Sequence, residues 1–288
     1  MMAGVTTSIH AAVWGSRWDS VGIDPTLECA ARLGFDHVVV PLRSLAALDP
    51  TAIGRAFERH GLIPLNTAGI PADCDIGSRD PYARQRGMKH LRNVMRAARD
   101  MGSRQINGVL YAPLVRAPGP PPSEARQFSA EALAAIAHEA KPMGLRLALE
   151  VVNRYETNLL NTAGEAMAFL DEVAQDNVGL HLDTFHMSIE ERDPFQTLRD
   201  AAPRLFYFEL DQSHRGDLRD GSLDLETWAR EAARAGYRGI VGVEAFSRSR
   251  MTPDHADALA VWRDTYDDPS ALAESALKLI RRSFAHAA

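Results

Sequence analysis

The chain has 288 residues, 45% hydrophobic and 24% charged, which is typical of a soluble globular protein. The net charge of −6, without a basic block, argues against a nucleic-acid partner. No apolar run approaches the ~18 residues of a membrane helix, and the N-terminus lacks a charged signal region. We therefore expect no membrane association and a cytoplasmic location, with Cys29 and Cys74 as inert thiols.

Short apolar runs that alternate with segments of helical periodicity run along the whole chain. The predicted strands are residues 6–13, 36–41, 62–66, 104–110, 145–151, 178–182, 205–210 and 238–244. Asp24 and Pro25 open a helix that Gly34 closes, and Asp80 opens a longer helix that ends at Gly102. Further helices are predicted after Ser123 and at about 162–174, 193–201, 224–235 and 270–284.

This alternation predicts an α/β fold with a parallel sheet. Eight strand–helix units in 288 residues match a (β/α)₈ TIM barrel, for which ~250 residues is typical. An open, doubly wound sheet is the alternative, but no G-x-G-x-x-G follows the first strand. The sequence APGPPP at 117–122 indicates a stiff loop and not a linker, so residues 1–288 are predicted to form a single domain.

Acidic residues close four successive predicted strands, which read LALE, LHLD, FYFE and VGVE. These acids are Glu150, Asp183, Glu209 and Glu244. Because the carboxyl ends of barrel strands meet at one rim, their mutual repulsion would destabilise the fold unless a cation lay among them. Oxygen-rich sites suit Mg²⁺ or Mn²⁺, so the pattern predicts a metal site.

Other polar residues follow the same strands. Glu156 lies in the loop after the fifth strand, His186 follows Asp183, and Arg215 follows Glu209. Each alone is compatible with an ordinary surface or helix-start role. Together with one metal, they could hold a polyhydroxylated carbonyl compound and move protons on it.

Five more residues have two interpretations each. His10 and Trp14 lie near the end of the first predicted strand, where they could form a wall for a sugar ring, although Trp14 is equally compatible with packing at the rim. His181 is expected to support the site or the core and not to bind metal. Arg248 and Arg250 are expected at the surface, although their place after the eighth strand leaves a phosphorylated substrate open.

Several segments together resemble one enzyme family. These are EVVNRYETNLLNT, HLDTFHMSIEE, SHRG with the following GSLDLETWAREAARAGYRGIVGVEAF, and the opening VW…GFDHVVVPL. They are similar to the ketose 3-epimerases, the D-tagatose and D-allulose (D-psicose) 3-epimerase branch of the xylose isomerase-like TIM barrels. The resemblance covers about residues 8–282. It implies an isomerase of carbohydrate metabolism that forms a homodimer or homotetramer.

The resemblance also implies a divalent ion, usually Mn²⁺, with Mg²⁺ or Co²⁺ as alternatives. Its ligands would be Glu150, Asp183 and Glu244, with Glu209 where the family has a histidine. Gln212 stands where an acid is usual, and the second strand reads VVV where relatives often carry a glutamate. A carboxylate in place of imidazole predicts a preference for Mg²⁺ or Mn²⁺ over Zn²⁺ or Ni²⁺.

The implied reaction inverts C3 of a free ketose. Glu156, His186 and Arg215 would clamp O1 and O2 of a sugar that lies across the metal. One of Glu150 and Glu244 would remove the C3 proton, and the other would return a proton to the opposite face of the cis-enediolate. The implied substrates are D-tagatose/D-sorbose, D-fructose/D-allulose and ribulose-type sugars.

Other functions use the same scaffold. An aldose–ketose isomerase, or a lyase that cleaves C-glycosides with help from a sugar carbonyl, would pass through the same enediolate. A phosphodiesterase of the endonuclease kind would need more histidine ligands and a basic surface. A non-catalytic, degenerate barrel is the last alternative, which the missing strand-7 histidine suggests.

Overall fold

The computed structural model describes residues 4–16, 18 and 22–285, and its centre is a closed barrel of parallel strands. In chain order, which is also their spatial order, the strands are β1 (Thr6–His10), β2 (His37–Pro41), β3 (Ile63–Thr67), β4 (Gln105–Gly108), β5 (Arg146–Glu150), β6 (Val178–Asp183), β7 (Leu205–Leu210) and β8 (Ile240–Val243). β8 pairs with β1 and closes the barrel. The predicted (β/α)₈ TIM barrel is confirmed.

Helices surround the barrel and connect its strands. In the described residues they are α1 (Asp24–Leu33), α2 (Pro50–His60), α3 (Pro81–Met101), α4 (Ala125–Ala140), α5 (Ala163–Val173), α6 (Thr184–Glu190), α7 (Pro194–Ala201), α8 (Leu225–Arg234), α9 (Pro253–Ala258) and α10 (Pro269–Ala285). None of these helices is both long and apolar enough to cross a membrane.

The first strand is shorter than predicted. It ends at His10, because Ala11–Val13 turns into a short 3₁₀ helix in which Trp14 donates its amide to the carbonyl of Ala11. The chain therefore leaves the sheet at His10, which places this histidine at the carboxyl rim of the barrel.

Some helix signals in the sequence act as expected, whereas Asp24 is the first residue of α1 and does not cap it. The Asp80 side chain accepts a hydrogen bond from the amide of Tyr82 at the start of α3. Gly34 and Gly102 end α1 and α3 in the left-handed conformation, with φ of 90° and 88°. These ends fix where each chain segment re-enters the sheet and so where each strand delivers its last residue.

The interior of the barrel is apolar at its amino-terminal end. Side chains from five strands pack there: Val39, Leu65, Ala148, Tyr207 and Ile240. A much larger apolar layer lies between the outside of the barrel and the helices. Buried polar side chains also occur along the strands: Ser8 hydrogen-bonds to the Tyr207 hydroxyl, and Gln105 at the start of β4 donates to Asn107.

Candidate active site

A cavity opens at the rim where the strands end. Five polar residues that the sequence predicted line it: His10, Glu150, Glu156, Arg215 and Glu244. Arg43 and His255, which were not predicted, line it as well.

The register of the strands explains why acids from neighbouring strands meet. Asp183 on β6 is level with Glu209 on β7. Because side chains two residues apart on a strand share a face, Glu209 and Asp211 both point inward, and Asp211 lies nearer the rim. Glu244 donates its amide to the carbonyl of the last β7 residue, which brings it beside Asp211.

Glu209 has polar partners on both carboxylate oxygens. Oε1 accepts a hydrogen bond from the Tyr207 hydroxyl at 3.0 Å and lies 3.2 Å from Nε2 of His10. Oε2 lies 3.1 Å from Nε2 of His181. Burial alone would raise the pKa of Glu209, but the two imidazoles outweigh burial and lower the pKa. The buried carboxylate is therefore charged and stabilised by its own surroundings.

Gly242 makes room for this carboxylate. It is level with Glu209 across the β7–β8 ladder. A Cβ atom at Gly242 would lie 2.1 Å from the Tyr207 hydroxyl and 2.7 Å from Oε1 of Glu209. Both distances are too short for non-bonded atoms, so a side chain here would displace the network.

His10 links Glu209 to Glu244. Its Nε2 faces Glu209, and its Nδ1 lies 3.5 Å from Oε1 of Glu244. Burial disfavours the charged imidazole, but the two carboxylates outweigh burial and raise the pKa of His10 to about 9. His10 is therefore a cation at neutral pH. His10 lines the cavity, and its contact with a sugar stays a prediction.

Asp183, Asp211 and Glu244 form a second group, with one oxygen of each within 4.8 Å of the others. Asp183 Oδ1 accepts the His186 amide at 3.0 Å, but Oδ2 has no hydrogen-bond partner. Asp211 Oδ2 accepts Nε–H of Arg215 at 3.0 Å, but Oδ1 has no partner. Burial, reinforced by neighbouring carboxylates, raises the pKa of both aspartates well above its ordinary value.

This donor set fits a hard divalent cation. Its atoms are carboxylate oxygens, and Asp183 and Asp211 are fully buried. A bound ion would give both unpartnered oxygens a partner and would offset the repulsion between the acids. His10, Glu209 and Glu244 form another group of suitable spacing, but there the imidazole and the Glu209 carboxylate already contact each other.

Arg215 contacts the acids from the loop after β7. Its φ of 57° is a left-handed conformation, which is uncommon for a residue with a side chain. The guanidinium lies between the rings of Phe185 and Phe246, 4.9 Å from each centre. From there it reaches three carboxylates: Asp211, Glu156 and Glu244. The unusual backbone thus directs one permanent positive charge into the cavity.

Glu150, the last residue of β5, has two histidines beside it. Nε2 of His186 lies 3.5 Å from Oε1, and Nδ1 of His181 lies 3.8 Å from Oε2. Asn153 donates to Nδ1 of His186, so the neutral ring carries its hydrogen on Nε2, towards Glu150. Burial would raise the pKa of Glu150, but the histidines lower it, whereas burial raises the pKa of Glu244 despite a nearby arginine. Two acids in one cavity thus differ in proton affinity.

Some predicted residues lie elsewhere. Trp14 packs half-buried against the apolar core and is not among the described residues that line the cavity, which favours the rim-packing alternative. Glu150 belongs to neither of the two candidate metal groups in the described chain, so its role as a ligand stays a prediction. Arg248 pairs with Asp257, and Arg250 donates to the backbone, as expected for surface residues.

Asp211 was missed in the sequence. The apolar run that predicts β7 ends at Leu210, so Asp211 reads as a loop residue. The period-two alternation from Glu209 was the signal that placed it on the inner face.

Nearly the whole chain is similar to named enzymes. Residues 27–281 match the family model of the xylose isomerase-like TIM barrels. The chain is 35% identical over 272 residues to a ketose 3-epimerase of Arthrobacter globiformis, with 94% of each covered. It is 35% identical over 275 residues to an L-ribulose 3-epimerase of Methylomonas sp., with 96% of each covered. A crystal structure of D-allulose 3-epimerase from Methylomonas sp. in complex with D-allulose superposes with a TM-score of 0.93, at 34% identity and 97% coverage of both chains. The chain belongs to the ketose 3-epimerase family of the xylose isomerase-like TIM barrels.

Proposed function

We propose that this protein is a divalent-metal-dependent ketose 3-epimerase that interconverts the C3 epimers of free ketoses. The proposed substrates are the pairs D-tagatose/D-sorbose and D-fructose/D-allulose, and ribulose-type sugars. Relatives named for ketoses and L-ribulose, and one crystallised with D-allulose, support this class. The observation that carries the proposal is that Glu150 and Glu244 face one cavity from strands that β6 and β7 separate.

Inversion at C3 needs a proton-transfer group on each face of the sugar. Glu150, whose pKa the histidines lower against burial, takes the C3 proton, which the C2 carbonyl makes acidic. Glu244, whose pKa burial raises, gives a proton to the opposite face. The two roles exchange in the reverse reaction. A base on one face only would return the starting sugar.

The groups that orient the sugar are Arg215, Glu156 and His186. Arg215 Nη1 and Glu156 Oε1 are 3.4 Å apart and both line the cavity, so they offer a donor and an acceptor side by side. Nε2 of His186 is buried without a hydrogen-bond partner, which supports its role as a donor to a sugar oxygen.

We also propose that the enzyme uses Mn²⁺, or alternatively Mg²⁺ or Co²⁺. The residues that would hold it are Asp183, Glu244, Glu150 and a carboxylate of β7, for which the sequence predicts Glu209. The unpartnered oxygens near Glu244 support a cation at this place. When bound, the ion supplies positive charge that stabilises the enediolate.

A homodimer or homotetramer is the proposed assembly. Tyr155 and Trp262 are 58% and 65% exposed and line one surface groove together with Ile189. Large exposed apolar side chains of this kind are common at interfaces between subunits, which supports the proposal. Light scattering coupled to gel filtration measures the number of subunits.

The proposed location is the cytoplasm, and the proposed organisation is one domain over residues 1–288. Cys29 and Cys74 are free thiols, which supports a reducing compartment. The barrel strands extend from Thr6 to Val243, which supports a single folding unit.

Hydrogen exchange with solvent tests the reaction. The metal-stripped protein, and the same protein with Mn²⁺, are incubated in D₂O with fructose, allulose, tagatose, sorbose and ribulose and followed by NMR. We expect metal-dependent deuterium at C3 together with the C3 epimer. Deuterium at C1 alone would establish an aldose–ketose isomerase instead. No exchange on any sugar, despite bound metal, would overturn the epimerase proposal.

A further inference from the structure

We propose that Asp211, the residue directly after β7, and not Glu209, binds the divalent cation. The inference rests on the proposed metal dependence and changes the identity of one ligand. Glu209 then has a different role, as a fixed interior charge that holds His10 and His181 in position.

Both oxygens of Glu209 already have polar partners. Its side chain is 1% exposed, and three partners between 3.0 and 3.2 Å occupy its two oxygens. If Glu209 turned away from His181 to reach a cation, Nε2 of that buried imidazole would lose its hydrogen-bond partner, which is unfavourable.

Asp211, in contrast, presents a buried oxygen without a partner. Its Oδ1 and Oδ2 of Asp183 both lack hydrogen bonds, although both residues are fully buried. One oxygen from each, with one from Glu244, lies within 4.8 Å of the others. Three oxygens from adjacent strands at this spacing suit one ion with metal–oxygen distances of ~2.0–2.6 Å.

The orientation of Asp211 is fixed by its neighbours. The Thr184 hydroxyl donates to the Asp211 carbonyl at 2.7 Å and accepts from its amide at 2.8 Å. Arg215 Nε donates to Oδ2 at 3.0 Å. These contacts hold Oδ2 and leave Oδ1 without a hydrogen bond, as outer contacts hold a ligating carboxylate.

The balance of charge favours the same assignment. Asp183, Asp211 and Glu244 carry three negative charges when ionised, and Arg215 offsets one of them, so the two that remain match a divalent cation. Glu209 is balanced separately by its imidazole partners.

Metal affinity tests the assignment directly. Mn²⁺ is titrated into the metal-stripped wild type, Asp211→Asn and Glu209→Gln, and free Mn²⁺ is measured by electron paramagnetic resonance. We expect Asp211→Asn to weaken binding by ~100-fold or more and Glu209→Gln by ~10-fold or less. Circular dichroism checks that each variant folds. The opposite order of the two losses would overturn the assignment.

A gain of signal gives an independent test that does not depend on a loss of binding. Asp211→Cys and Glu209→Cys are each loaded with Co²⁺, with the wild type as the control for the two native cysteines. A thiolate that binds Co²⁺ produces a sulfur-to-cobalt charge-transfer band. We expect this band for Asp211→Cys only, and a band for Glu209→Cys only would show that Glu209 is the ligand.

The wild type separates this proposal from the proposed function. If it binds Mn²⁺ and epimerises ketoses while Asp211→Asn keeps wild-type affinity, the assignment of Asp211 is wrong and the enzyme function stands. If the wild type binds neither Mn²⁺, Mg²⁺ nor Co²⁺, the metal-dependent function fails first, and the ligand assignment fails with it.

Discussion

At the amino-terminal end of the barrel, Asp36 accepts two hydrogen bonds of 2.8 Å, from the amide and the hydroxyl of Thr7, and apolar side chains fill the interior beside it. At the carboxyl end, Asp183 and Asp211 are fully buried, and each keeps an oxygen without a partner. Satisfied polar groups stabilise the fold at the first end. Unsatisfied acids at the second end oppose folding and are tolerated where a ligand compensates them.

A carboxylate therefore has a different effect at each end. The exposed Asp36 links β1 to the start of β2 through its hydrogen bonds, whereas burial of the rim acids raises the pKa of Asp183 and Asp211.

The largest effect is expected from Glu150→Gln, which removes the proton acceptor and changes no side-chain length. We expect kcat for epimerisation to fall by ~10²–10⁴-fold. The matched change at the other end, Asp36→Asn, should lower the free energy of unfolding by ~1–2 kcal/mol and leave kcat within about twofold. Product formation measured by NMR, with urea denaturation, checks both. Equal losses of kcat in the two variants would remove the functional distinction between the ends.

Arg215→Met should have the next largest effect, on stability. Its guanidinium is buried against Asp211 and Glu244, so its loss leaves buried acids without a compensating cation. We expect the free energy of unfolding of the metal-free protein to fall by ~3–5 kcal/mol. Urea denaturation measures the change, and Arg215→Lys, which keeps the charge, should lose less. A metal-free variant as stable as the wild type would show that Arg215 does not compensate these acids.

The stability of the metal-free protein should decrease as the pH rises. Because folding raises the pKa of His10 from 6.5 to about 9, the folded state keeps a proton that the unfolded state loses in this window. Its stabilisation is complete below pH 6.5 and is lost as the pH rises through 9. The raised pKa values of Asp183 and Asp211 act in the same direction.

We expect a loss on the order of 2–3 kcal/mol across this window. Denaturation curves at a series of pH values measure it, and His10→Asn is the control that should flatten the profile. A wild-type stability that stays constant across the window would contradict the charged state of His10.

The sequence allows the barrel to be predicted because its signals are local. Each strand is a short apolar run, and most helices begin or end at a proline, an aspartate or a glycine of defined role. The short helices α6 and α9 were not predicted. In α6, Asp183 caps the helix through the His186 amide, yet by sequence it reads as the end of a strand.

The site is only partly predictable for a physical reason. Alternation along a strand shows that Glu209 points inward, but its partners His10 and His181 come from β1 and β6. Only the register shows that Gly242 leaves space beside it and that Asp183 is level with it. Family membership is confirmed, whereas the metal, its ligands, the assembly, the location and the single domain stay predictions.

The smallest effects are expected from two glycine-to-alanine substitutions, one inside the barrel and one on an outer helix. Gly242→Ala would place a Cβ atom against the Tyr207 hydroxyl and Glu209, so we expect the free energy of unfolding to fall by ~1–3 kcal/mol. Gly164 lies in the first turn of α5, where an added Cβ atom would have no neighbour within 4 Å, so Gly164→Ala should raise it by up to ~1 kcal/mol. Thermal and urea denaturation measure both changes. If Gly242→Ala were as stable as Gly164→Ala, the interior network would be loose enough to rearrange, and Glu209 would be free to turn towards a cation after all.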